Sequence, residues 1–379
     1  MPQNFSLLTR LGWSDFFANQ INNQQQEDSE PAAPLCGRVI EVQRELSRVS
    51  TGDAEWWCAP SGRFRAVCTM PGDWPVVGDW VAITPQESAR PLTDDPGRAI
   101  LHRRLERRGQ FVRLAPGSDE TVQVLAANLD AIVLVTACNG ELNLRRIERY
   151  LTATAESGAR PVIALNKADL LDDDGRATIL RAVQAAAPGV PVIFTHTLDE
   201  SGVAPLRDYL QPHETIALLG SSGVGKSSLT NRLSGRLAGK EAQFVSAIRE
   251  ADDRGRHTTT ARRIVALPNG ALLMDTPGLR TVRLWDDGGG VDETFAEITA
   301  LAAGCKFRDC QHRDEPGCAV AVALAAGMIS PERIAARDKL AREAAFQSRK
   351  HDQIADHEMR RKLRAFGRQL RARPSKRAM

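Results

Sequence analysis

Two nucleotide-binding signatures occur in an unusual order in this 379-residue chain. The tetrapeptide NKAD, Asn166–Asp169, comes before the glycine-rich sequence GSSGVGKSS, Gly220–Ser228. In ordinary GTPases the element that reads the base follows the phosphate-binding loop. The reversed order therefore predicts a circularly permuted GTPase, and it constrains the fold more than either signature alone.

The glycine-rich sequence matches the phosphate-binding pattern G-x-x-x-x-G-K-[ST]. A strand-like run, Thr215–Leu219, precedes it, and a helix-like stretch, Ser228–Leu237, follows it. Backbone N–H groups would face the β-phosphate, Lys226 would reach the β and γ oxygens, and the Ser227 hydroxyl would bind magnesium. The residues predicted to bind the phosphates are Gly220, Ser221, Ser222, Gly223, Val224, Gly225, Lys226, Ser227 and Ser228.

Two further segments are expected to handle magnesium and the γ-phosphate. The run Ala271–Met274 resembles a buried strand and ends in DTPG, where Asp275 would hold the metal through water and the Gly278 N–H would sense the γ-phosphate. The polar segment between the loops contains GRHTTT, in which Thr259 is the preferred magnesium ligand and Thr258 the alternative. The adjacent threonines are also compatible with the start of an exposed strand.

The base pocket is predicted from the buried run Ile163–Leu165 and the NKAD residues after it. Asp169 can accept hydrogen bonds from the guanine N1–H and 2-amino groups, while Asn166 contacts the purine edge and the Lys167 stem packs along the ring. Adenine lacks these donors, and a buried aspartate left unpaired costs about 1 to 3 kcal/mol, so guanine is favoured. The strand-like run Val190–Phe194 leads into a second loop near the base, Thr195–Thr197, called here the base-side loop.

The seven cysteines fall into two groups. Four are scattered among apolar segments and are predicted to pack as small hydrophobic residues. The other three lie close to a histidine, and three thiolates with one imidazole suit one tetrahedral, structural zinc ion. A redox site is the alternative, although no secretory signal is recognisable and a reducing cytoplasm is expected. The predicted zinc ligands are Cys305, Cys310, His312 and Cys318.

Composition and patterning predict a multidomain chain, with a hydrophobic fraction of 42% that is sufficient for real cores. A polar run rich in Gln and Asn predicts a flexible arm over residues 1–34. Short alternating segments, Gly37–Val42, Phe64–Thr69 and Asp79–Ile83, predict a small β-barrel over residues 35–112, although periodicity does not distinguish an OB-fold from another barrel. Over residues 113–285, alternating strands and helices such as Ala131–Thr136 and Leu144–Glu156 predict a central α/β fold with a mostly parallel sheet.

Basic residues cluster in two places, although the net charge is only +3. The helix-like tail Arg360–Arg377 contains nine Lys and Arg residues and no acid, so it suits a polyphosphate surface better than a membrane. A second cluster lies where the barrel meets the α/β region, and a solvated basic face is the alternative for either cluster. The second cluster consists of Arg103, Arg104, Arg107, Arg108 and Arg113.

In this order, NKAD, GSSGVGKSS, GRHTTT, DTPG and C-x4-C-x-H-x5-C resemble the RsgA or YjeQ family of GTPases that depend on the small ribosomal subunit. GDWV, Gly78–Val81, and the stretch Ala127–Asp130 also resemble this family. The resemblance implies an N-terminal OB-fold, a central permuted GTPase domain and a mainly helical C-terminal zinc domain over residues 286–379. It also assigns the positioning of the attacking water to His257, because the residue after DTPG is Leu279 and not a glutamine.

The function implied is GTP hydrolysis with Mg²⁺, coupled to late maturation of the small ribosomal subunit, with binding to its rRNA and release after hydrolysis. We expect a cytoplasmic monomer, no membrane partner, and slow turnover without the subunit. The segment Leu279–Asp292 would tie the DTPG loop to the zinc domain, although Asp286–Gly290 would absorb motion if it is slack. The alternatives are a nucleotide-gated RNA-binding module with incidental hydrolysis and an ATP-using enzyme.

Overall fold

The computed structural model describes residues 5–24, 34–86, 97–114, 122–139, 142–235, 263–275, 289–313, 315–346 and 348–349. The chain divides into two compact units. The first lies within Met1–Arg113 and Val122–Arg283, and the second within Leu284–Met379 together with Leu114–Thr121. The barrel and the α/β domain therefore belong to one unit.

Five strands form a closed barrel at the start of the first unit. They are β1 (Leu35–Gln43), β2 (Leu46–Ser50), β3 (Glu55–Pro60), β4 (Trp80–Pro85) and β5 (Gly97–Arg104). Their order is β1-β2-β3-β5-β4, and β4 pairs back to β1. Strands β3 and β5 are parallel, whereas the other barrel pairs are antiparallel. This connectivity is the five-stranded Greek key of an OB-fold, which periodicity alone did not identify.

One segment predicted as a barrel strand is helical. Gly62–Val67 forms helix α3, so the strand predicted for Phe64–Thr69 is wrong. The Ser61 hydroxyl accepts a hydrogen bond from the Phe64 N–H at 3.1 Å and caps the helix. Phe64 alone is buried in this single helical turn, packed into the barrel core, so its apolar side chain gave a misleading strand signal.

The N-terminal residues pack against the barrel. Helices α1 (Phe5–Thr9) and α2 (Asp15–Gln24) bury Leu8 and Phe17 in a cluster with Trp80. The flexible arm predicted for residues 1–34 is therefore wrong for residues 5–24. The polar Gln and Asn run dominated the composition of this region and masked the few apolar side chains that fix the helices to the barrel.

A six-stranded sheet forms the centre of the α/β domain, the other part of the first unit. It contains β8 (Ala131–Ala137), β9 (Arg160–Asn166), β10 (Val192–Phe194), β11 (Thr215–Leu219), β12 (Arg263–Ala266) and β13 (Leu272–Asp275). A small hairpin, β6 (Gln110–Leu114) and β7 (Val122–Ala127), precedes it. The sheet order is β10-β9-β8-β11-β13-β12, and only β12 runs antiparallel to its neighbour in this set. From β8, the strands β9 and β10 are added towards one edge of the sheet, whereas β11, β12 and β13 lie on the other side of β8. Ligands of such folds bind at this change in strand order, between β8 and β11.

Helices cover the two faces of this sheet. They are α4 (Leu144–Glu156), α5 (Asp173–Ala186), α6 (Ala204–Tyr209) and α7 (Lys226–Leu233). Alternate β8 residues, such as Val133 and Val135, share a core with Leu206 of α6 and Leu229 of α7. The strands are almost continuously apolar because both faces are buried, as the sequence pattern predicted.

A buried arginine connects the barrel to the α/β domain. Arg38 on β1 is 1% exposed, and its guanidinium donates to the Gly78 and Asn128 carbonyls and to the Thr215 hydroxyl, the last at 2.6 Å. It also donates to the Leu11 carbonyl in the turn between α1 and α2. Burial lowers the pKa of Arg38 to about 10, so the hydrogen bonds offset a real desolvation cost. One side chain thus joins four segments of the unit.

The GDWV motif lies at this junction. Gly78 has φ +96°, and a Cβ there would lie 2.1 Å from the Ala127 carbonyl oxygen, so only glycine fits. Asp79 is fully buried and forms two 2.8 Å hydrogen bonds with Arg107. The Asn128 side chain donates to the Gly78 carbonyl at 3.0 Å. GDWV and the stretch Ala127–Asp130 are the two motifs upstream of NKAD that resemble the family. Both therefore help to join the barrel to the α/β domain.

Most arginines of the predicted second basic cluster pair with groups inside the first unit. Arg107 is paired with Asp79, and Arg108 is paired with Asp130. Arg104 donates to the carbonyls of Asp73 and Leu105. These pairings leave less of the cluster available to RNA than its sequence suggested.

The second unit is mainly helical where it is described. It contains α8 (Gly289–Thr294), α9 (Ala296–Ala302), α10 (Ala319–Ala325) and a helix over residues 331–346, α11. Arg333 on α11 pairs with Glu297 at 2.7 Å, and its guanidinium lies 4.1 Å from the Phe295 ring centroid. The basic tail Arg360–Arg377 lies outside the described residues. Across the described ranges, the longest apolar helices fall short of what a membrane crossing requires.

Candidate nucleotide site and metal centre

The phosphate loop follows β11 and is shaped by its glycines. Gly223 and Gly225 have φ values of +84° and +96°, which L-residues with a Cβ rarely adopt. A Cβ on Gly220 would lie 2.3 Å from the Val135 carbonyl oxygen of β8. The loop therefore lies directly against the neighbouring strand and turns sharply into α7, as the pattern predicted.

Lys226 lies inside the curve of this loop. Its ammonium group donates to the Gly220 carbonyl at 2.8 Å and to the Ser221 carbonyl at 2.6 Å. The side chain is thus already folded over the loop, where its charge would meet phosphate oxygens. Ser227 lies in the first turn of α7 and is exposed, so its hydroxyl is accessible to a magnesium ion.

Asn166 directly connects the NKAD sequence to the phosphate loop. Its Nδ2 donates to the Val224 carbonyl at 2.8 Å, and its Oδ1 accepts a 3.2 Å hydrogen bond from the Thr195 hydroxyl. The side chain is 1% exposed, and a Cβ on Gly225 would lie 2.3 Å from its Nδ2. Two motifs separated by more than fifty residues in sequence therefore meet at one buried amide, together with the base-side loop.

The remaining NKAD residues leave the sheet in a tight turn. Lys167 has φ +62°, in the left-handed region, and the Ala168 N–H donates to the Thr195 carbonyl at 3.0 Å. The Asp169 carboxylate is exposed. The desolvation penalty expected for an unpaired aspartate would therefore arise only when a bound base covers it.

The predicted magnesium ligands are only partly within the described residues. Asp275 ends β13, whose Met274 pairs with Ala217 of β11, so the backbone of Asp275 lies at the strand ends that carry the phosphate loop. His257, Thr258, Thr259 and Gly278 lie outside the described residues. Their predicted roles remain expectations.

The Cys and His residues predicted from sequence form a compact cluster. The sulfur atoms of Cys305 and Cys318 lie 3.9 Å apart, and each lies 3.6 Å from His312 Nδ1. All four potential ligand atoms, including that of Cys310, lie within 4.8 Å of one another. For zinc bonds of about 2.3 Å to sulfur and 2.0 Å to nitrogen, tetrahedral geometry requires separations of about 3.5 to 3.8 Å. The cluster therefore fits a structural zinc ion, and a sulfur separation of 3.9 Å is too long for a disulfide.

The electrostatics of the cluster favour a cation. Burial raises the pKa of the Cys310 thiol to about 11, and the nearby Cys318 and Cys305 sulfurs contribute to the rise. The Cys318 sulfur accepts a hydrogen bond from the Ala321 N–H and so caps α10. Burial lowers the pKa of His312, which keeps its imidazole in the neutral form that binds metals. A bound cation would therefore be needed to hold these neighbouring cysteines as thiolates.

Two contacts in the first unit have no counterpart in the sequence motifs, one near the nucleotide site and one at the opposite end of β11. Arg232, at the end of α7, donates to the carbonyls of Thr197 and Leu198. Thr215, at the start of β11, accepts a hydrogen bond from Arg38. Neither residue belongs to a nucleotide signature, and the only clue in the sequence is that Arg232 lies six residues after Lys226, on the helix that follows the phosphate loop.

Comparisons with known proteins agree with this arrangement. A sequence model of the RsgA GTPase family matches residues 104–285. The small ribosomal subunit biogenesis GTPase RsgA of Opitutus terrae is 41% identical over 353 residues, which is 92% of each chain. The protein of the same name from Streptomyces coelicolor is 40% identical over 370 residues, covering 96% of this chain and 94% of its own.

Solved structures show the same architecture. YjeQ from Thermotoga maritima is 25% identical, with a TM-score of 0.61 over 82% of this chain and 98% of its own. YloQ, described as a circularly permuted GTPase, is 22% identical, with a TM-score of 0.61 over 85% of this chain and 98% of its own, and it supports the fold alone. The permuted order of motifs, the OB-fold, the site geometry and these relatives lead to one conclusion: the chain belongs to the RsgA GTPase family.

Proposed function

We propose that the protein hydrolyses GTP in a cycle coupled to late maturation of the small ribosomal subunit. The observation that carries the proposal is the contact of Asn166 with the Val224 carbonyl, because it brings the base-reading turn and the phosphate loop into one site. Relatives about 40% identical over most of the chain are named small ribosomal subunit biogenesis GTPases. The same activity is the simplest explanation for the same site.

Guanine specificity is assigned to Asp169 and Asn166. The exposed Asp169 carboxylate can accept both the N1–H and the 2-amino donors of guanine. The Asn166 amide is held between Val224 and Thr195, so it presents a fixed edge to the purine. Adenine would leave the Asp169 carboxylate covered but unpaired, which disfavours an ATP-using enzyme.

Phosphate binding is assigned to the loop Gly220–Ser228, and Lys226 supplies positive charge to the β and γ oxygens. The residues proposed to hold Mg²⁺ are Ser227, Asp275 and Thr259 or Thr258, and the ion would neutralise charge on the triphosphate. The Gly278 N–H is proposed to contact the γ-phosphate. His257 is proposed to orient the attacking water through its neutral imidazole.

The protein is proposed to act as a cytoplasmic monomer that binds the rRNA of the small subunit. The OB-fold and the basic tail Arg360–Arg377 are the proposed RNA contacts, and the Cys and His cluster is proposed to hold zinc. The division into residues 35–112, 113–285 and 286–379 is proposed as the functional domain plan. Release would follow hydrolysis because the DTPG loop leads towards the zinc domain.

GTP hydrolysis with and without purified small ribosomal subunits tests this function. We expect strong stimulation of the wild-type rate by subunits, and loss of that stimulation in His257→Ala with guanine-nucleotide binding retained. Nucleotide-dependent binding to subunits with an unchanged hydrolysis rate would instead support an RNA-binding module. Stimulated turnover that is normal in His257→Ala would remove His257 from the mechanism.

A further inference from the structure

Arg232 connects the phosphate-loop helix to the base-side loop. It lies on α7, the helix that begins with Lys226, so the same rigid element carries a phosphate-binding residue at one end and this arginine near the other. Its Nε donates to the Thr197 carbonyl at 3.1 Å, and its Nη2 donates to the Leu198 carbonyl at 2.9 Å. Two hydrogen bonds from one planar guanidinium fix both the position and the orientation of the peptide groups they reach.

The base-side loop is held on its other side by the NKAD turn. The Thr195 N–H donates to the Leu165 carbonyl, and the Thr195 carbonyl accepts from the Ala168 N–H. The Thr195 hydroxyl donates to Asn166. The loop therefore lies between the base-reading turn and α7, and Arg232 is its attachment to the helix.

The turn after the loop strengthens this attachment. Glu200 accepts a 2.6 Å hydrogen bond from Arg207, and the Arg207 guanidinium also donates to the Arg232 carbonyl at 3.2 Å. Arg232 lies 3.9 Å from Glu200, a longer contact that adds little. The two hydrogen bonds from Arg232 to the main chain thus connect α7 directly to the loop.

We propose that Arg232 is a positioning residue for guanine recognition, which sets the distance between the base-side loop and the phosphate loop. The inference rests on the proposed function, since it requires that this loop borders the base. A trans peptide directs its N–H opposite to its C=O, so a guanidinium that holds the Thr197 carbonyl directs the Leu198 N–H away from α7. Without Arg232 the loop would lose this orientation, while Lys226 and the phosphate loop would keep their own contacts.

The test uses the full-length protein and the variants Arg232→Ala and Arg232→Lys. We expect Arg232→Ala to weaken GDP binding on the order of tenfold and to raise the KM for GTP with little change in the unstimulated kcat. Displacement of GDP by inorganic pyrophosphate reports the phosphate loop alone, so the affinity for pyrophosphate is expected to stay unchanged. Arg232→Lys can make one of the two hydrogen bonds and is expected to recover part of the GDP affinity.

Arg181→Ala is the matched control, because the Arg181 guanidinium donates only to the Ala177 carbonyl of its own helix among the contacts described. It is expected to bind GDP as the wild type does. Wild-type GDP affinity in Arg232→Ala, or an equal loss of GDP and pyrophosphate affinity, would overturn the role of Arg232. Wild-type protein that does not prefer GDP to ADP would instead overturn the proposed function.

Discussion

Single buried polar residues define much of this site. Asn166 satisfies its amide with one partner on the phosphate loop and another on the base-side loop, so its burial costs little. Arg38 does the same at the junction, with partners just before β4, between β7 and β8, and on β11. Both side chains connect segments that are far apart in sequence, and each would leave unpaired groups behind if removed.

Replacement of Gly220 by alanine is predicted to damage the phosphate loop by steric overlap. The added Cβ would lie 2.3 Å from the Val135 carbonyl oxygen, and the backbone there cannot yield easily. We expect GDP affinity to fall about tenfold or more, as measured by equilibrium titration. A Cβ on Gly62 meets nothing within 4 Å, so Gly62→Ala serves as the control. Unchanged GDP affinity in Gly220→Ala would contradict the close packing of the loop on β8.

Replacement of Arg38 by methionine is predicted to destabilise the first unit by about 3 kcal/mol, since buried carbonyls and the Thr215 hydroxyl lose their donor. Urea unfolding measures the change. Arg98→Met, on an exposed position of β5, is expected to stay within about 0.5 kcal/mol of wild type. Equal stability of the two variants would show that the junction does not depend on Arg38.

At the level of elements, the sequence predicted the parts of the fold that have clear periodicity. Helix α4, over Leu144–Glu156, and strand β11, over Thr215–Leu219, have the predicted bounds. The Asn143 side chain caps α4 by accepting a hydrogen bond from the Arg146 N–H at 3.0 Å. Strong local signals therefore located these elements to the residue.

Short elements were harder to predict. Helix α3 is a single turn whose apolar Phe64 is compatible with either a strand or a helix. The N-terminal helices are stabilised by packing of Leu8 and Phe17 on Trp80, and composition does not report such long-range contacts. The same reason explains why Arg38 and Arg232 were missed: most of their partners are backbone carbonyls, which have no sequence signature.

All four residues of the candidate metal centre were predicted to lie together, because they are close in the chain and their combination of thiol and imidazole groups is unusual. We expect Cys310→Ser to abolish binding of one zinc ion and to loosen the second unit, because the cluster connects the start of α10 to the preceding loop. Zinc content and limited proteolysis measure both effects, and Cys68→Ala in the barrel is the control. GDP affinity is expected to stay at the wild-type value. A zinc content equal to wild type in Cys310→Ser would contradict the assignment of this ligand.

At the scale of the molecule, the junction between the barrel and the α/β sheet lies next to segments that are proposed to contact the nucleotide. Strand β1 of the barrel pairs with β12 at Glu41 and Arg263, so barrel and sheet share a continuous set of strands. Strand β12 follows the segment that contains His257 and Thr259, and β13 ends at Asp275. The barrel is therefore attached to the sheet between the two segments proposed to respond to the γ-phosphate.

A crystal structure of the protein with Mg²⁺ and a non-hydrolysable GTP analogue tests the central claim most directly. We predict that Asn166 and Asp169 contact the guanine while Lys226, Ser227 and Asp275 surround the triphosphate and its metal ion. The same map would show whether Thr258 or Thr259 completes the magnesium ligands. A guanine bound away from the NKAD turn, with its phosphates outside the loop Gly220–Ser228, would contradict the account.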